Sequence, residues 1–271
     1  MTVLGSALVT SPALSGLDAP SSRGLDVARW AGRPARLARM DRLCAIALVA
    51  ADGALLHAGV EVPLPALARV GVVLGTAFGC HATNEAYDAG ARAGAPSPRL
   101  FAYTLPSSAV GEISIHAELV GPVSTMVGGL TAGLDALREA RRHLDAGRAE
   151  RMLVVAADVV TPTLARLMSV PLPLHDAACA LFLDGSRPMR SAARFVANAP
   201  LHAVARCLEA LELEGVSESW GPRGVALPGT PHELDESLLA AAPLAAIRSA
   251  RGKALVVAMD PSGLATAVML G

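Results

Sequence analysis

Two adjacent glycines join a β-branched segment to an amphipathic segment within residues 121–137, and this junction constrains the fold more than any other part of the sequence. The segment before the glycines, residues 123–127, is typical of a strand. The segment after them carries apolar residues at helical spacing, at Leu130, Leu134, Leu137 and Leu144. The sequence therefore predicts a strand, a tight turn and a helix in succession.

A strand-turn-helix elbow of this kind exposes one side chain at its tip and points the N-terminus of the helix at it. The partial positive charge of that terminus lowers the pKa of a thiol and stabilises an oxyanion. Here the first residue after the two glycines is Leu130, which can do no covalent chemistry. The sequence therefore predicts an elbow that cannot carry out the nucleophilic chemistry that such an elbow supports.

Continuous apolar runs alternate with helical periodicity along the rest of the chain. Runs at 70–75, 152–160 and 178–183 are typical of strands that are covered on both faces of a sheet. Helices are predicted at 36–58, 83–94, 107–120, 201–213 and 238–250, and a hairpin turn at 260–263. This alternation predicts an α/β layered fold.

Composition excludes several classes of partner. The 271-residue chain is 52% hydrophobic and 17% charged with a net charge of −1, so we expect neither nucleic acid nor a membrane as its main partner. The sequence contains no uninterrupted apolar run of about 18 residues and no basic leader, which predicts neither a transmembrane helix nor secretion. The four cysteines are widely separated, which favours a reduced cytoplasmic protein over a disulfide framework or a metal site.

Several segments resemble the β-ketoacyl synthases of the thiolase superfamily. In that family a Gly-Pro pair, a strand, a nucleophilic Cys and a Gly-Leu-x-Ala-Leu helix follow each other with the spacing found here. The matching residues are Gly121, Pro122, Thr125, Gly133, Leu134, Ala136 and Leu137. Segments 39–42, 70–76, 104–106, 175–183 and 263–270 resemble the family in the same order. The resemblance implies a thiolase-like αβαβα fold with a complete N-terminal half, residues 1–185, and a shortened C-terminal half of the same domain, residues 186–271.

The resemblance also shows what this chain lacks. Leu130 takes the place of the family's nucleophilic Cys. Catalytic members carry two histidines in the C-terminal half, which support decarboxylation and stabilise developing negative charge. The histidines after the elbow lie in neither of the family's sequence contexts; they are His143, His175, His202 and His232. We therefore expect no catalytic residue in this chain and no acyl condensation by the chain alone.

Ketosynthase-like proteins without these catalytic residues are chain length factors, which pair with a catalytic β-ketoacyl synthase and shape its acyl tunnel. The short length is similar to the truncated chain length factors of aryl polyene and related type II polyketide pathways. The resemblance implies a heterodimer with a catalytic β-ketoacyl synthase, as in polyketide or fatty-acid-like biosynthesis. It also implies a substrate carried as a phosphopantetheine thioester on a partner acyl carrier protein, with no cofactor or metal of the chain's own.

Two segments are expected to meet the partner and line its tunnel. They contribute Leu100, Phe101, Tyr103, Thr104 and Leu105 from a loop, and Val123, Thr125, Met126 and Leu130 from the elbow and its strand. Without the resemblance, the loop is explained as one held to its own core by its aromatic residues, and the strand as an internal one. In the family, the strand pairs across the two-fold axis of the dimer, which removes an exposed edge.

Two other functions stay open. One is a divergent thiolase-fold acyltransferase or hydrolase that uses Cys80 or a histidine. Cys80 lies beside His81 in the sequence, although neighbouring side chains normally point apart. The other function is that of a scaffold subunit that never touches substrate.

An arginine-rich segment is explained either as a solvated face or as a patch for an acidic acyl carrier protein; its residues are Arg138, Arg141, Arg142, Arg148 and Arg151.

Overall fold

The structure, a computed structural model, describes residues 1–12, 37, 39–65, 68–168, 174–211 and 213–271. These residues contain two five-stranded mixed sheets. The first sheet consists of β1 (Thr2–Pro12), β2 (Val70–Thr76), β3 (Val123–Val127), β4 (Arg151–Asp158) and β5 (His175–Asp184). The second consists of β6 (Met189–Phe195), β7 (Glu218–Gly221), β8 (Thr230–Glu233), β9 (Ala254–Met259) and β10 (Leu264–Leu270).

The two sheets share one topology. The first has the order β1-β5-β4-β2-β3 and the second the order β6-β10-β9-β7-β8. In each sheet the first two neighbouring pairs are antiparallel and the last two are parallel. The second sheet thus repeats the first, although the sequence shows no visible repeat.

Eight α-helices and two 3₁₀-helices connect the strands that the structure describes. The α-helices are α1 (Arg42–His57), α2 (His81–Arg92), α3 (Pro98–Phe101), α4 (Ser107–Ala117), α5 (Ala132–Asp145), α6 (Pro162–Met168), α7 (Pro200–Glu209) and α8 (Ala242–Ser249). The 3₁₀-helices are Gly129–Thr131 and Glu236–Ala241, and each leads directly into an α-helix. Within the part of the chain that the structure describes, every helix is too short or too polar to span a bilayer.

The elements form five layers. Helices α1 and α4 cover the outer face of the first sheet, α5 and α8 lie between the two sheets, and α7 covers the outer face of the second. The apolar side chains between the first sheet and helices α1 and α4 form the outer core, and those between the two sheets form the central core. Side chains alternate between these cores along β2, where Val72 and Leu74 enter the outer core and Val73 enters the central core. Strands that are covered on both faces must be apolar at every position, which explains their continuous runs. The predicted αβαβα fold is confirmed.

The structure corrects several predicted boundaries. The helix expected at 36–58 begins at Arg42, where Asp41 accepts a hydrogen bond from the Cys44 N–H at 2.9 Å; residues 36 and 38 lie outside the described ones. The helix expected at 238–250 is divided at Leu239, whose φ of 51° is not helical. Strands β6, β7 and β8 were not predicted. The division of the domain near residue 185 stays a prediction, although β5 ends and β6 begins around it.

Candidate functional site

The predicted elbow is present between β3 and α5. After β3, Gly128 has φ −167° and ψ 40°, and Gly129 has φ 66°, a left-handed conformation that favours glycine. A single 3₁₀ turn then leads into α5 at Ala132. The two glycines therefore reverse the chain so that the N-terminal end of α5 lies at the end of β3.

Short contacts fix the start of α5 against the second sheet and the second 3₁₀-helix. The buried Thr131 hydroxyl donates a hydrogen bond to Asp135 Oδ2 at 2.8 Å. The other oxygen of the same carboxylate accepts from the hydroxyl of Thr266 on β10, at 2.9 Å. A Cβ atom on Gly133 would lie 2.1 Å from the carbonyl oxygen of Ala240, so that α5 and the second 3₁₀-helix approach each other closely only because residue 133 is glycine.

Leu130 lies at the tip of the elbow, half-buried in an apolar cluster. Buried Val160, Leu174 and Leu239 form this elbow cluster, with Phe78, Leu130 and Ala165 packed against them. Leu239 combines φ 51° with ψ −128°, a conformation that costs a non-glycine residue roughly 1–3 kcal/mol and persists only when the surroundings impose it. The side chain at the tip of the elbow therefore packs on its neighbours.

Asp158 holds the loops beside the elbow cluster. Its Oδ1 accepts hydrogen bonds from the Thr76 hydroxyl and the Ala77 N–H, both at 2.8 Å, and from the Phe78 N–H at 3.2 Å. Its Oδ2 accepts from the Ala240 N–H at 3.1 Å. Complete burial raises the pKa of Asp158 to about 6, although these hydrogen bonds oppose the shift.

The loop expected at the partner's tunnel contains the short helix α3 and divides into two environments. Phe101 and Leu105 are 63% and 65% exposed. Tyr103 instead packs against the outer core of its own chain, and its hydroxyl donates a hydrogen bond to Glu112 Oε1 at 3.0 Å. Burial, together with this carboxylate, raises the pKa of Tyr103 to about 12. Leu100 and Thr104 are half-buried, and the Thr104 hydroxyl donates to the Phe101 carbonyl.

Strand β3 is an outer strand of the first sheet, and among the described residues no other strand pairs with its free side. Val123 and Val127 are 46% and 57% exposed, while Met126 packs into the central core. The Thr125 hydroxyl is shielded from solvent and has no hydrogen-bond partner among the described residues. Gly79 packs closely between β3 and the end of the loop. A Cβ atom on Gly79 would lie 2.9 Å from the side chain of Pro106 and 4.0 Å from that of Val127. The structure thus places β3 next to the end of the loop.

The geometry does not favour Cys80 as a nucleophile. Its buried Sγ donates a hydrogen bond to the Thr104 carbonyl at 2.8 Å, and burial raises the pKa of the thiol. His81 lies 3.8 Å from Glu85, its own neighbour on α2. No group of three or more potential metal-binding side chains occurs in the ranges that the structure describes.

Three of the arginines on the predicted patch are paired with neighbouring groups. Arg138 contacts Asp135, Arg141 contacts Asp145 and Arg142 contacts Glu139. These i,i+3 and i,i+4 pairs neutralise much of the positive charge on the surface of α5. These ion pairs agree with the interpretation of the arginine-rich segment as a solvated face.

Three residues around the elbow were not predicted from the sequence: Asp158, Leu239 and Asp260. The Asp260 carboxylate accepts a hydrogen bond from the Leu130 N–H at 3.2 Å. The Asp260-Pro-Ser-Gly263 hairpin was predicted, and the structure confirms the turn between β9 and β10. Nothing in that local pattern indicates which distant backbone group its first residue reaches.

Comparison with known proteins places the elbow in a family. The model of the β-ketoacyl synthase N-terminal domain matches residues 17–170. The tetracenomycin polyketide synthase ketoacyl synthase alpha subunit of Streptomyces glaucescens is 30% identical over 134 residues, which cover 46% of this chain and 32% of that protein. Relatives from Streptomyces cyaneus and Streptomyces coelicolor match over 33% and 30% of their own length. The chain thus matches about a third of the length of these curated relatives.

Solved structures share the fold along nearly the whole chain. The ishigamide ketosynthase/chain length factor has a TM-score of 0.75 and 23% identity, with 99% of this chain and 98% of that chain covered. A type II polyketide synthase acyl-carrier protein in complex with its ketosynthase has a TM-score of 0.73 and 14% identity, with the same shares covered. These likenesses show the fold. Because the family model spans more than half of the sequence and includes the elbow, the chain belongs to the β-ketoacyl synthase family, through its N-terminal domain.

Proposed function

We propose that this chain is a non-catalytic chain length factor. It forms a heterodimer with a catalytic β-ketoacyl synthase and shapes the acyl tunnel of that partner, in type II polyketide, aryl polyene or fatty-acid-like biosynthesis. The growing chain is carried as a phosphopantetheine thioester on an acyl carrier protein, and this subunit uses no cofactor of its own. The cytoplasmic location stays a prediction.

The observation that carries the proposal is Leu130 at the tip of a well-formed elbow. The glycine turn and the 14-residue helix behind it are those that would activate a thiol. A leucine there offers neither a nucleophile nor a proton, and it packs into the elbow cluster. A subunit that keeps the elbow geometry but lacks its chemistry is suited to a supporting role beside a catalytic relative.

The open edge at β3 supports association with a second chain. Exposed apolar side chains occur on and near this edge, and clusters of such residues mark interfaces. Those with large exposed fractions are Val123, Val127, Phe101 and Leu105. An antiparallel strand from a partner would pair with β3 and supply groups near the unpaired Thr125 hydroxyl.

The similar structures supply the partner classes. One is named a ketosynthase/chain length factor and another holds an acyl-carrier protein with its ketosynthase. Because both structures are less than 25% identical to this chain, a ketosynthase and an acyl carrier protein are proposed here as its partners.

The test compares the chain alone with the chain co-expressed with a β-ketoacyl synthase that has its Cys and both histidines. We expect a one-to-one complex in size-exclusion chromatography. After incubation with acylated carrier protein, intact mass should show a thioester adduct on the partner and none on this chain. The matched control is the same complex with the partner's nucleophile replaced by Ala, which should show no adduct. A stoichiometric adduct on this chain would contradict the proposal, and so would a monomer indifferent to the partner.

A further inference from the structure

The backbone of Leu130 and the side chain of Asp260 form a contact between the two halves of the fold. The Leu130 N–H donates a hydrogen bond to Asp260 Oδ2 at 3.2 Å. Asp260 Oδ1 accepts a second hydrogen bond, from the Ser262 N–H at 2.9 Å. The carboxylate therefore lies beside the Leu130 N–H, in the 3₁₀ turn that leads into α5.

The hairpin between β9 and β10 fixes the position of this carboxylate. The Asp260 N–H donates to the Leu264 carbonyl at 2.7 Å, and the Gly263 N–H donates to the Asp260 carbonyl at 2.9 Å. Both ends of the turn are thus closed by backbone hydrogen bonds. The carboxylate is presented by a rigid turn, so it needs no further ordering to reach the elbow.

Gly129 makes room for the carboxylate. A Cβ atom on residue 129 would lie 2.1 Å from Asp260 Oδ2, which is far inside van der Waals contact. Any other residue at this position would displace the carboxylate as well as strain the backbone at φ 66°. Gly129 and Asp260 are therefore matched to each other across the two sheets.

The N-terminus of a long helix favours a negative charge, and the N–H groups at an elbow stabilise an oxyanion that develops beside them. We infer that Asp260 is a resident anion, which occupies the position where this elbow would otherwise stabilise the oxyanion of a thioester reaction. Two features then prevent a thioester reaction at this elbow: residue 130 is not a nucleophile, and the carboxylate of Asp260 occupies the position of the oxyanion. This inference concerns the chain's own backbone and does not depend on the proposed partner.

A cysteine placed at position 130 would lie close to this carboxylate. Its Sγ would be three covalent bonds from the nitrogen that binds Asp260, and hence within about 7 Å of the carboxylate. A negative charge at that distance disfavours the thiolate and raises the pKa of the thiol, against the opposite effect of the helix. Restoring the nucleophile alone should therefore give a poorly reactive thiol.

The experiment measures alkylation of Leu130→Cys by iodoacetamide as a function of pH, with and without Asp260→Asn. Asn keeps the size of the side chain and an acceptor for the Leu130 N–H but removes the charge. We expect the double variant to react about tenfold faster near neutral pH, as for a thiol pKa lowered by about one unit. The four native cysteines are buried, and burial raises the pKa of each, so the wild-type protein provides a low background.

The matched control is Leu130→Cys with Asp88→Asn, which removes an exposed carboxylate that pairs with Arg92. It should react like Leu130→Cys alone. Identical pH profiles with and without Asp260→Asn, in proteins with unchanged circular dichroism, would overturn the inference.

Hydrogen exchange of the Leu130 amide gives a second measurement that needs no cysteine. Asp260→Ala in the otherwise wild-type chain removes the acceptor and should speed exchange at residues 129–131 at least tenfold, while exchange in β4 stays unchanged. Unaltered protection of the elbow would also overturn the inference, whatever the cysteine variants do.

Discussion

The Tyr103 hydroxyl donates a hydrogen bond to Glu112 Oε1 at 3.0 Å, which fastens the exposed loop to helix α4. Phe101 and Leu105 lie on either side of this anchor and are mostly exposed. The loop is therefore held to its own fold by Tyr103, while Phe101 and Leu105 present most of their surface to solvent.

Product length should respond to Phe101 and Leu105. If these side chains form the floor of the partner's tunnel, Phe101→Ala or Leu105→Ala should admit about one more two-carbon unit, which needs roughly 2.5 Å of extended chain. Leu100→Trp should shorten the products, since overfilling a packed site costs roughly 1–3 kcal/mol. Mass spectrometry of the products made by the intact complex measures both effects.

Tyr103→Phe is the matched control for these variants, because it keeps the ring and removes only the hydrogen bond to Glu112. We expect unchanged products and a modest loss of stability, about 1 kcal/mol. An unchanged distribution in all the loop variants, within complexes shown to be intact, would reduce the loop to a structural element. It would also favour the scaffold function over tunnel shaping.

Association should depend on the edge at β3. Val123→Lys or Val127→Lys places a charge on an exposed edge strand, which is how edge strands avoid pairing. We expect either variant to fold and to lose most of the one-to-one complex in size-exclusion chromatography. Leu201→Lys, at an equally exposed apolar position on α7, is the control and should associate normally. Normal association of both β3 variants would show that the β3 edge is not the interface.

The stability contribution of Asp158 should depend on pH. Because burial raises its pKa from 3.8 to about 6, the folded state prefers the protonated form. Its contribution is therefore full below pH 3.8 and is lost as the pH rises through 6, by about 3 kcal/mol in total. Urea unfolding of wild type and Asp158→Asn should show the wild-type advantage shrinking by up to that amount between about pH 4 and pH 7.

Other carboxylates titrate in the same pH range, so only the difference between the two proteins is informative. A constant difference between wild type and Asp158→Asn across this range would contradict the raised pKa.

Close helix packing at Gly133 should make it intolerant of a methyl group. Gly133→Ala would force α5 away from Ala240 and should lower the free energy of unfolding by about 1–3 kcal/mol. Gly111→Ala, in helix α4, meets no atom within 4 Å and should stabilise the chain by roughly 0.5–1 kcal/mol through helix propensity. Opposite signs in thermal unfolding would confirm the prediction, whereas equal effects would contradict it.

The central strands were predictable because burial on both faces leaves an unmistakable apolar run. Strand β8, Thr-Pro-His-Glu, is entirely exposed, and its pattern is that of a turn. It is a strand only because β7 is beside it. Leu239 shows a second limit, since the apolar spacing of 238–250 favours one helix while tertiary packing imposes a break.

The elbow itself was predictable from local chemistry, as two glycines followed by helical spacing. Its long-range partners were not. Asp158 reaches Thr76 across 82 positions, and Asp260 reaches Leu130 across 130. Neither contact leaves a local periodic signal.

The shared strand order of the two sheets makes β3 and β8 equivalent outer strands, yet only one of them is suited to continue its sheet. Strand β8 has Pro231, which lacks an N–H to donate, followed by the charged Glu233, whereas β3 is Val-Ser-Thr-Met-Val. Of these two equivalent edges, β8 is blocked by its own sequence, whereas β3 can accept a further strand. The repeated topology therefore leaves the two halves of the fold unequal as surfaces for association.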